Sequence, residues 1–333
     1  MASQSPLISV IIPAYNREKY IAQSIFSVLE QSAGKRIEII VVDDGSSDNT
    51  REEVFKLQRE AGNIKLLQQT NMGPSAARNA GFRIASGDFI QFLDSDDLLG
   101  KGKFDLQLEA LSCNPQAGFA TCGWSLFDES TDKFKAIFGL NRGPEWSALP
   151  GFFHFDFWVN GTPLYRREVC ERTGPWREDM RAFEDWEWHI RMALRGARGV
   201  HVNQNLMFVR DHAGPRLSKK KLGALEMETY NVYLNIILSH FRESGDGLRR
   251  HGNDLASLLY RAAFWNFRAG NMEHGYSFAN AAGQICTSAA RRRIYKITLA
   301  MAGGIGINRS IYLWDRLASL NRVKKMRSLL WGK

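Results

Sequence analysis

Two groups of carboxylates, each directly after a short apolar run, are the residues of this sequence best suited to chemistry. Asp43 and Asp44 follow Val41-Val42, and three further aspartates within residues 94–97 follow Phe92-Leu93. Parallel strands end at one edge of an open α/β sheet, and ligands bind at that edge. Carboxylate oxygens suit hard cations such as Mg²⁺ or Mn²⁺, which are often shared with phosphate. The pattern therefore predicts a site for a divalent cation accompanied by a phosphate.

The spacing within these groups indicates different tasks for different acids. On an extended segment Asp94 and Asp96 point to the same side, so one can hold a ribose hydroxyl while the other ligates a metal that bridges a diphosphate. The alternative is a solvated helix N-terminus, where Asp is favoured. Asp44 can accept an N–H of a nucleotide base, or it can cap the next helix. For Asp44 the residues alone leave both interpretations open.

Three basic residues are candidates for contact with a metal-bound diphosphate. Arg78 lies on an Ala-rich helix expected to begin near Gly73, at the same sheet edge. A helix N-terminus and an arginine both attract phosphate, although an ordinary surface arginine is an equal alternative. After a later apolar segment, Arg210 could pair with diphosphate and His212 could complete metal coordination, but a lone histidine is more often structural.

Acidic and aromatic residues mixed at positions 183–188 suggest a general base. Asp185 stands between Glu184 and Trp186. A carboxylate beside aromatic side chains lies in a drier environment, which raises its pKa and suits it to proton abstraction. The tryptophans could also stack on a sugar ring. A helix cap with core tryptophans is the alternative, which is favoured for Glu187 but not for Asp185.

The elements that must position these residues alternate between strands and helices. Strands are predicted at 8–12, 37–42, 64–67 and 89–93, and helices follow each of them. A helix is predicted at 184–194, residues 128–160 are irregular, and the sequence is helical from about 222 onward. Alternating strands and helices predict the α/β class, with a mostly parallel sheet, right-handed crossovers and a helical C-terminal extension.

Composition narrows the class of protein. The chain has 333 residues, with 44% hydrophobic and 11% aromatic residues, which is typical of a globular core. Its four scattered cysteines have no metal-finger spacing, and we expect them to be reduced. The N-terminus has no secretory-signal pattern, and no run reaches the length of a membrane span. These features favour a cytoplasmic location.

Charge divides the chain into two predicted domains, residues 1–218 and 219–333. The second carries 19 Lys and Arg against 7 Asp and Glu, whereas the first carries 25 against 28. Basic residues interleaved with Trp, Leu and Ile in the tail predict a helix that lies on an anionic membrane surface, at the inner face of the plasma membrane. A helical cap with a solvated charged face is the alternative. Nucleic acid is not expected as a partner, because no recognition motif accompanies the charge.

Five motifs over roughly residues 7–215 resemble glycosyltransferase family 2 in order and spacing. They are Ile11-Ile12-Pro13-Ala14-Tyr15-Asn16, Asp43-Asp44-Gly45-Ser46-Ser47-Asp48, Gly73-Pro74-Ser75-Ala76-Ala77-Arg78-Asn79, Phe92-Leu93-Asp94-Ser95-Asp96-Asp97 and Phe183-Glu184-Asp185-Trp186. The chain departs from many relatives at His189, where an aliphatic residue is common. It also lacks the Gln-x-x-Arg-Trp signature of processive synthases, which favours single addition of a sugar.

The resemblance implies a GT-A fold and inverting transfer of a sugar from a nucleotide-sugar donor, usually a uridine diphosphate sugar. It implies the following roles: Pro13, Tyr15 and Asp44 around the base, Arg78, Asp94 and Ser95 as further donor contacts, Asp96 and His212 at Mg²⁺ or Mn²⁺, Asp185 as the base, and Glu184 and Trp186 on the acceptor side. The implied acceptor is a glycan or a polyprenyl-linked sugar, in bacterial cell-surface polysaccharide biosynthesis.

Two other functions compete with this one. A catalytically idle scaffold that binds sugar nucleotides at the membrane has no need of Asp44, Asp94, Asp96 and Asp185 together. A nucleotidyltransferase shares the sheet and the metal, but it requires a Gly-rich phosphate loop with a basic residue just after the first strand. The segment Pro13-Ala14-Tyr15-Asn16 does not provide one.

Overall fold

The computed structural model describes residues 7–31, 36–128, 133–139, 145–146, 159–180, 182–211, 224–244, 247–289 and 292–293. The described residues up to 211 form one compact unit, and those from 224 onward belong to a second. The predicted domain boundary between residues 218 and 219 lies outside the described residues and stays a prediction.

The first unit alternates strands with helices along most of its length. Its strands are β1 (Leu7–Ala14), β2 (Arg36–Asp43), β3 (Ile64–Gln68), β4 (Phe89–Phe92), β5 (Leu98–Leu99), β6 (Phe119–Asp128), β7 (Lys133–Phe138), β8 (Glu145–Trp146), β9 (Leu164–Arg166) and β10 (Gly199–Asp211). Its helices are α1 (Ile21–Leu29), α2 (Thr50–Glu60), α3 (Pro74–Ile84), α4 (Lys103–Cys113), α5 (Arg167–Thr173) and α6 (Glu184–Leu194).

These strands form one sheet in the order β3-β2-β1-β4-β9-β6-β10-β5, with β7 beside β6 and β8 beside β10. The strands β3, β2, β1 and β4 are parallel. Because β9 is antiparallel to both β4 and β6, and β10 is parallel to β6, the strands β6 and β10 run in the same direction as β4. The carboxyl ends of β1, β2, β4, β6 and β10 therefore open at one edge.

Period-two alternation of apolar residues buries both faces of the central strands. Ile39 and Val41 face one cluster, to which α1, α2 and α4 contribute, whereas Ile40 and Val42 face α3 on the other side. Burial of each such side chain contributes about 1.5–3 kcal/mol. Helix α3 lies very close to the sheet, because a Cβ on its Gly81 would be 2.5 Å from the Ile11 side chain. This packing places the N-terminus of α3 at the carboxyl edge.

The α/β class and the sheet with flanking helices are confirmed. The expectation that residues 128–160 are irregular is wrong, because β7 and β8 lie within this range. Strand β6 continues to Asp128, and β10 is a strand of 13 residues that the sequence did not indicate. Two register shifts between Val202 and Met207 interrupt its pairing with β6, and Asn203 and Gln204 are exposed. Polar residues in the middle of the strand hide its period.

The second unit is helical in its described part, as predicted for the C-terminal region. It contains α7 (Ala224–Glu243), α8 (Gly247–Arg268) and α9 (Met272–Ile285). Asn231 of α7 and Asn266 of α8 exchange two amide hydrogen bonds of 2.8 Å in the buried interior. Apart from residues 292–293, the basic tail from 291 onward lies outside the described residues. No helix in the described part of the chain has the length and apolar character needed to cross a bilayer.

Candidate active site

The predicted donor-binding residues lie where β1, β2 and β4 end. In register, Ala14 at the end of β1 pairs with Asp43 at the end of β2, and the Asp44 N–H donates to the Ala14 carbonyl (2.8 Å). Pro13 is buried in β1 beyond the last residue paired with β4, where a missing N–H is tolerated. Tyr15, just past the strand, is 46% exposed. Tyr15 therefore offers more surface to a ligand than the buried Pro13 does.

Asp44 is a buried carboxylate that organises the loop after β3. Its Oδ1 accepts from Gln69 Nε2 (2.7 Å) and the Met72 N–H (2.8 Å), and its Oδ2 accepts from the Gly73 N–H (2.8 Å). Gly45 has a φ of +79°, which favours glycine and permits the sharp turn after Asp44. Each carboxylate oxygen has two acceptor positions, so Oδ2 retains capacity for one further donor.

The acidic segment after β4 is a turn, which corrects the expectation of an extended segment. The Asp97 N–H donates to the Asp94 carbonyl (3.1 Å), so the two-residue alternation does not apply. Ser24 Oγ on α1 donates to the carbonyls of Ser95 (3.0 Å) and Asp97 (2.7 Å). Ser95 is itself buried. The turn, rather than a strand, therefore sets the directions of the acidic side chains.

Arg210 of β10 also holds the acidic turn in place through hydrogen bonds. Its N–H donates to Asp97 Oδ1 (3.0 Å), and its Nε donates to the Asp96 carbonyl (2.8 Å). Its Nη2 donates to Gln23 (2.6 Å), and the guanidinium lies over Tyr20. The side chain is almost fully buried. The suggested pairing of Arg210 with diphosphate does not match this position, because the buried guanidinium donates to the Asp96 carbonyl and to Gln23.

Arg78 brings the acidic turn and the predicted base helix together. Its Nη2 lies 2.9 Å from Asp94 Oδ1, and its Nη1 lies 3.1 Å from Glu184 Oε1. The Arg78 side chain is buried, whereas Asp94 is 41% exposed. Burial opposes the charged form of Arg78, but Asp94, Glu184 and Asp185 outweigh it and raise the pKa of Arg78. Arg78 is therefore a permanent cation at the centre of three carboxylates.

Asp185 lies in the first turn of α6 with an altered proton affinity. Burial, followed by the neighbouring charge of Glu184, raises the pKa of Asp185 to about 7, although Arg78 opposes the shift. The Trp186 N–H donates to Asp185 Oδ1 (2.8 Å). Phe183, just before the helix, has a φ of +61°, and such strain in a bulky residue often accompanies functional sites. The predicted direction of the pKa shift is confirmed, and the role as base stays a prediction.

Aromatic side chains support this cluster from the interior. Trp176 lies under the Arg78 guanidinium (4.8 Å) and stacks on Trp188 at 4.7 Å. Trp188 is 1% exposed, so it is a core residue and not a platform for a sugar. Trp186 is half-buried. His189 contacts the Tyr165 hydroxyl (2.7 Å), and burial lowers the pKa of His189 to about 3, which keeps the ring neutral.

Glu187 belongs to the framework, in agreement with the structural interpretation favoured for it. Its carboxylate accepts two hydrogen bonds from Arg191 (2.8 and 2.9 Å), one turn further along α6. Arg191 in turn donates to the carbonyls of Thr173 and Pro175. Glu187 and Arg191 therefore attach α6 to the segment after α5.

The donor set at this edge suits a hard divalent cation. No group of three or more His, Cys, Asp or Glu side chains in the described part of the chain is arranged to hold a metal. Mg²⁺ commonly uses only one or two carboxylates and completes its shell with water and phosphate oxygens. Asp94 and Asp96 offer such oxygens on one turn. His212, the other predicted ligand, lies outside the described residues.

Arg17 is a site residue that the sequence reasoning missed. Its Nε lies 3.4 Å from Asp96 Oδ2, with the two side chains 23% and 14% exposed. The sequence contained a signal for it, since this basic residue directly follows Pro13-Ala14-Tyr15-Asn16 after the first strand.

The sheet order and the acidic carboxyl edge define an α/β protein with a GT-A fold. The crystal structure of S. aureus TarS 1-349 in complex with UDP-GlcNAc shares this fold, with a TM-score of 0.69 at 21% identity, covering 91% of this chain and 89% of that chain. The model of glycosyl transferase family 2 matches residues 9–173. The chain therefore belongs to glycosyl transferase family 2 through this domain.

Two curated relatives from Bacillus subtilis (strain 168) extend the similarity. The uncharacterized glycosyltransferase EpsJ is 31% identical over 216 residues, which cover 62% of this chain and 62% of EpsJ. The minor teichoic acid biosynthesis protein GgaA is 32% identical over 211 residues, which cover 61% of this chain and 47% of GgaA. The matched region thus spans less than two thirds of the length of either relative.

Proposed function

We propose that this protein transfers a sugar from a nucleotide-sugar donor, with a uridine diphosphate sugar as the first choice, to an acceptor hydroxyl with inversion at the anomeric carbon. The observation that carries the proposal is the meeting of Asp94, Glu184 and Asp185 around Arg78 at the carboxyl edge. It places an exposed carboxylate beside a second one with a pKa of about 7. The S. aureus TarS crystal structure in complex with UDP-GlcNAc supports the donor class by its shared fold.

In this proposal the two ends of the site hold different parts of the donor. Tyr15 packs on the base, next to Pro13, and Asp44 Oδ2 accepts an N–H from it. Asp94 and Ser95 hold the ribose side. Asp96, with His212, would hold Mg²⁺ or Mn²⁺, which stabilises the charge of a leaving diphosphate when bound.

Asp185 acts as the general base on the acceptor side. A carboxylate with a raised pKa accepts a proton more readily than an ordinary Asp. It takes the proton of the acceptor hydroxyl while the oxygen attacks the anomeric carbon and the nucleoside diphosphate leaves. A single displacement of this kind inverts the configuration and needs no covalent intermediate. Glu184 and Trp186 border the acceptor.

The acceptor in this proposal is a glycan or a polyprenyl-linked sugar used for bacterial cell-surface polysaccharide. The name of GgaA, a minor teichoic acid biosynthesis protein, supports this class of pathway. The basic composition of residues 219–333 supports a position at the cytoplasmic face of the plasma membrane, since anionic lipid attracts clustered Lys and Arg.

Donor hydrolysis by the purified protein tests the proposal. A panel of UDP-, GDP- and dTDP-sugars is incubated with Mn²⁺ or with EDTA, and nucleotide release is measured. We expect release from one donor class with Mn²⁺ and its loss in Asp96→Ala. Absence of release from every donor, together with no nucleotide binding by calorimetry, would overturn the proposal.

The variant Asp185→Asn separates an enzyme from an idle binding protein. The amide cannot take the proton, so turnover should fall by about 10²–10⁴-fold while donor affinity stays within about twofold of wild type. Calorimetry with the nucleoside diphosphate measures affinity, and product release measures turnover. Unchanged turnover would remove Asp185 from the role of base.

A further inference from the structure

Arg17 is held at the acidic turn by its own loop as well as by Asp96. Its Nη1 donates to the carbonyls of Tyr15 (3.3 Å) and Asn16 (3.0 Å), while its Nε faces Asp96 Oδ2 at 3.4 Å. The guanidinium is thereby oriented by two neutral acceptors and neutralised by one carboxylate. It lies between β1 and α1, at the edge where the donor is expected.

The backbone around Arg17 is fixed to the neighbouring loop. The Asn16 N–H donates to Ser46 Oγ (3.0 Å), and the Arg17 N–H donates to Thr50 Oγ1 (2.7 Å). Asn16 has a φ of +52°, a conformation that the surrounding bonds maintain. The backbone of this loop is therefore fixed, and the guanidinium can move only by rotation of the Arg17 side chain.

The backbone that carries the partner carboxylate is equally restricted. Ser24 holds the carbonyl of Ser95, and Arg210 holds the carbonyl of Asp96. The acidic turn cannot follow a moving arginine. A cation that ligates Asp96 must therefore share the carboxylate with Arg17 or displace it, because two positive groups a few ångströms apart repel each other.

We propose that Arg17 makes cation binding and donor binding depend on each other: it occupies Asp96 when no divalent cation is present, and it pairs with the donor diphosphate when the cation takes Asp96. This inference rests on the proposed function. The cation alone would leave the guanidinium without an anionic partner, whereas the diphosphate supplies one. Each ligand should therefore increase the affinity for the other.

Calorimetry on the full chain measures this dependence directly, without turnover. The affinity for Mn²⁺ is determined in the absence and presence of saturating UDP, in wild type, Arg17→Met and Arg17→Lys. In Arg17→Met we expect Mn²⁺ alone to bind about fivefold tighter or more, and the enhancement of Mn²⁺ affinity by UDP to shrink by a similar factor. Arg17→Lys keeps the charge and should stay closer to wild type than to Arg17→Met.

Arg59→Met is the matched control, because Arg59 is an exposed arginine in α2 of the same unit. It should bind both ligands as wild type does. Thermal melts verify folding, and Arg17→Gln replaces Arg17→Met if the latter does not fold.

The outcomes distinguish this inference from the proposed function. If wild type binds UDP with Mn²⁺ but the arginine variants show unchanged Mn²⁺ affinity and unchanged enhancement, the role of Arg17 is overturned and the proposed function stands. If wild type binds none of UDP, GDP and dTDP in the presence of Mn²⁺, both are overturned.

Discussion

At the scale of single residues, the main feature is one buried guanidinium among acids. Arg78 reaches Asp94 and Glu184 directly, and its charge also lowers the proton affinity of Asp185. The environment of Asp185 is therefore a balance, in which burial and Glu184 raise the pKa and Arg78 lowers it. Changes in either neighbour should be visible in the pH dependence of activity.

The variant Glu184→Gln tests that balance. Removal of a negative charge beside Asp185 favours its ionised form, so the pKa of Asp185 should fall below 7. A base works when deprotonated, so activity should rise with pH through this pKa, and the rising limb should move to lower pH. Measurement of donor turnover from pH 5 to 9 detects the shift.

An exposed acid of the same type provides the comparison for Glu184→Gln. Glu168→Gln removes one negative charge from the surface of α5 and should leave the rising limb where it is in wild type. A limb that moves equally in both variants would mean that net charge, and not the neighbour of Asp185, sets the profile.

At the scale of secondary-structure elements, close packing of α3 on β1 fixes the position of Arg78. The Gly81→Ala methyl would be 2.5 Å from Ile11 Cγ2 and 3.2 Å from Val42 Cγ2. Overpacking of this kind costs about 1–3 kcal/mol, more than the roughly 1 kcal/mol that alanine gains over glycine in a helix. We expect a lower denaturation midpoint, measured by urea titration.

Gly62→Ala is the matched substitution, since a Cβ at Gly62 has no heavy atom within 4 Å. Its free energy of unfolding should stay within about 0.5 kcal/mol of wild type. Equal destabilisation by both alanines would show that the contact with Ile11 is not the cause.

A second element-scale feature is a buried polar network beneath the segment before β9. Lys103 Nζ donates to Gln91 Oε1 (2.6 Å) and Gln107 Oε1 (2.8 Å). Gln107 Nε2 donates to the carbonyls of Ala120 (2.7 Å) and Thr162 (2.8 Å). The lysine thus orients the Gln107 amide. Its N–H groups face the backbone of β6 at Ala120 and the backbone of the segment before β9 at Thr162.

Gln107→Leu should destabilise the protein by at least about 3 kcal/mol. The change leaves a buried ammonium and two buried carbonyls each short of one hydrogen bond, at about 1–3 kcal/mol for a buried group that loses its partner. Thermal or urea unfolding measures the loss. Gln68→Leu, at an exposed position of β3, should change the unfolding free energy by no more than about 0.5 kcal/mol.

Prediction from sequence succeeded where a single physical rule dominates. Buried strands such as residues 37–42 appear as largely apolar segments, and their carboxyl ends indicate where acids meet. The turn at 94–97 and the strand β10 were missed because their conformations depend on partners distant in sequence. Ser24 and Arg210 determine the turn, and no local pattern includes them.

At the scale of the whole molecule, the amino-terminal side of the sheet has its own charged connection. Glu38 on β2 accepts hydrogen bonds from Ser9 of β1, from the Ser86 N–H and hydroxyl, and from Lys65 of β3. Burial alone would raise its pKa, but these hydrogen bonds outweigh burial and lower the pKa of Glu38 to about 2. The Glu38 carboxylate thereby links β1, β3 and the segment before β4, at the end of the sheet opposite the carboxyl edge.

Acid should weaken this connection in a defined interval. Because the pKa of Glu38 lies below the ordinary value of 4.5, its contribution is fully present above pH 4.5 and is lost as pH falls toward 2. The contribution stays below the roughly 3 kcal/mol that corresponds to this pKa difference, because solvent screens the ion pair with the exposed Lys65. Glu38→Gln should be less stable at pH 7, and its stability should change less between pH 4.5 and 2, as measured by urea unfolding.

Glu60→Gln, at the exposed end of α2, is the comparison variant for the acid series. Its stability should follow wild type across the interval. A wild-type acid response that persists in Glu38→Gln would assign the loss to other carboxylates.

Because Arg210 fixes the acidic turn, the order in which the polypeptide is synthesised determines when this turn can be fixed. The aspartates of the turn leave the ribosome more than a hundred residues before Arg210, whose side chain also reaches back to Gln23 near the start of the chain. The region matched by the family model ends at residue 173, before β10 begins. A nascent chain of that length already carries the acids but lacks the arginine that fixes their turn. The geometry of the acidic turn is therefore completed late, when β10 joins the sheet.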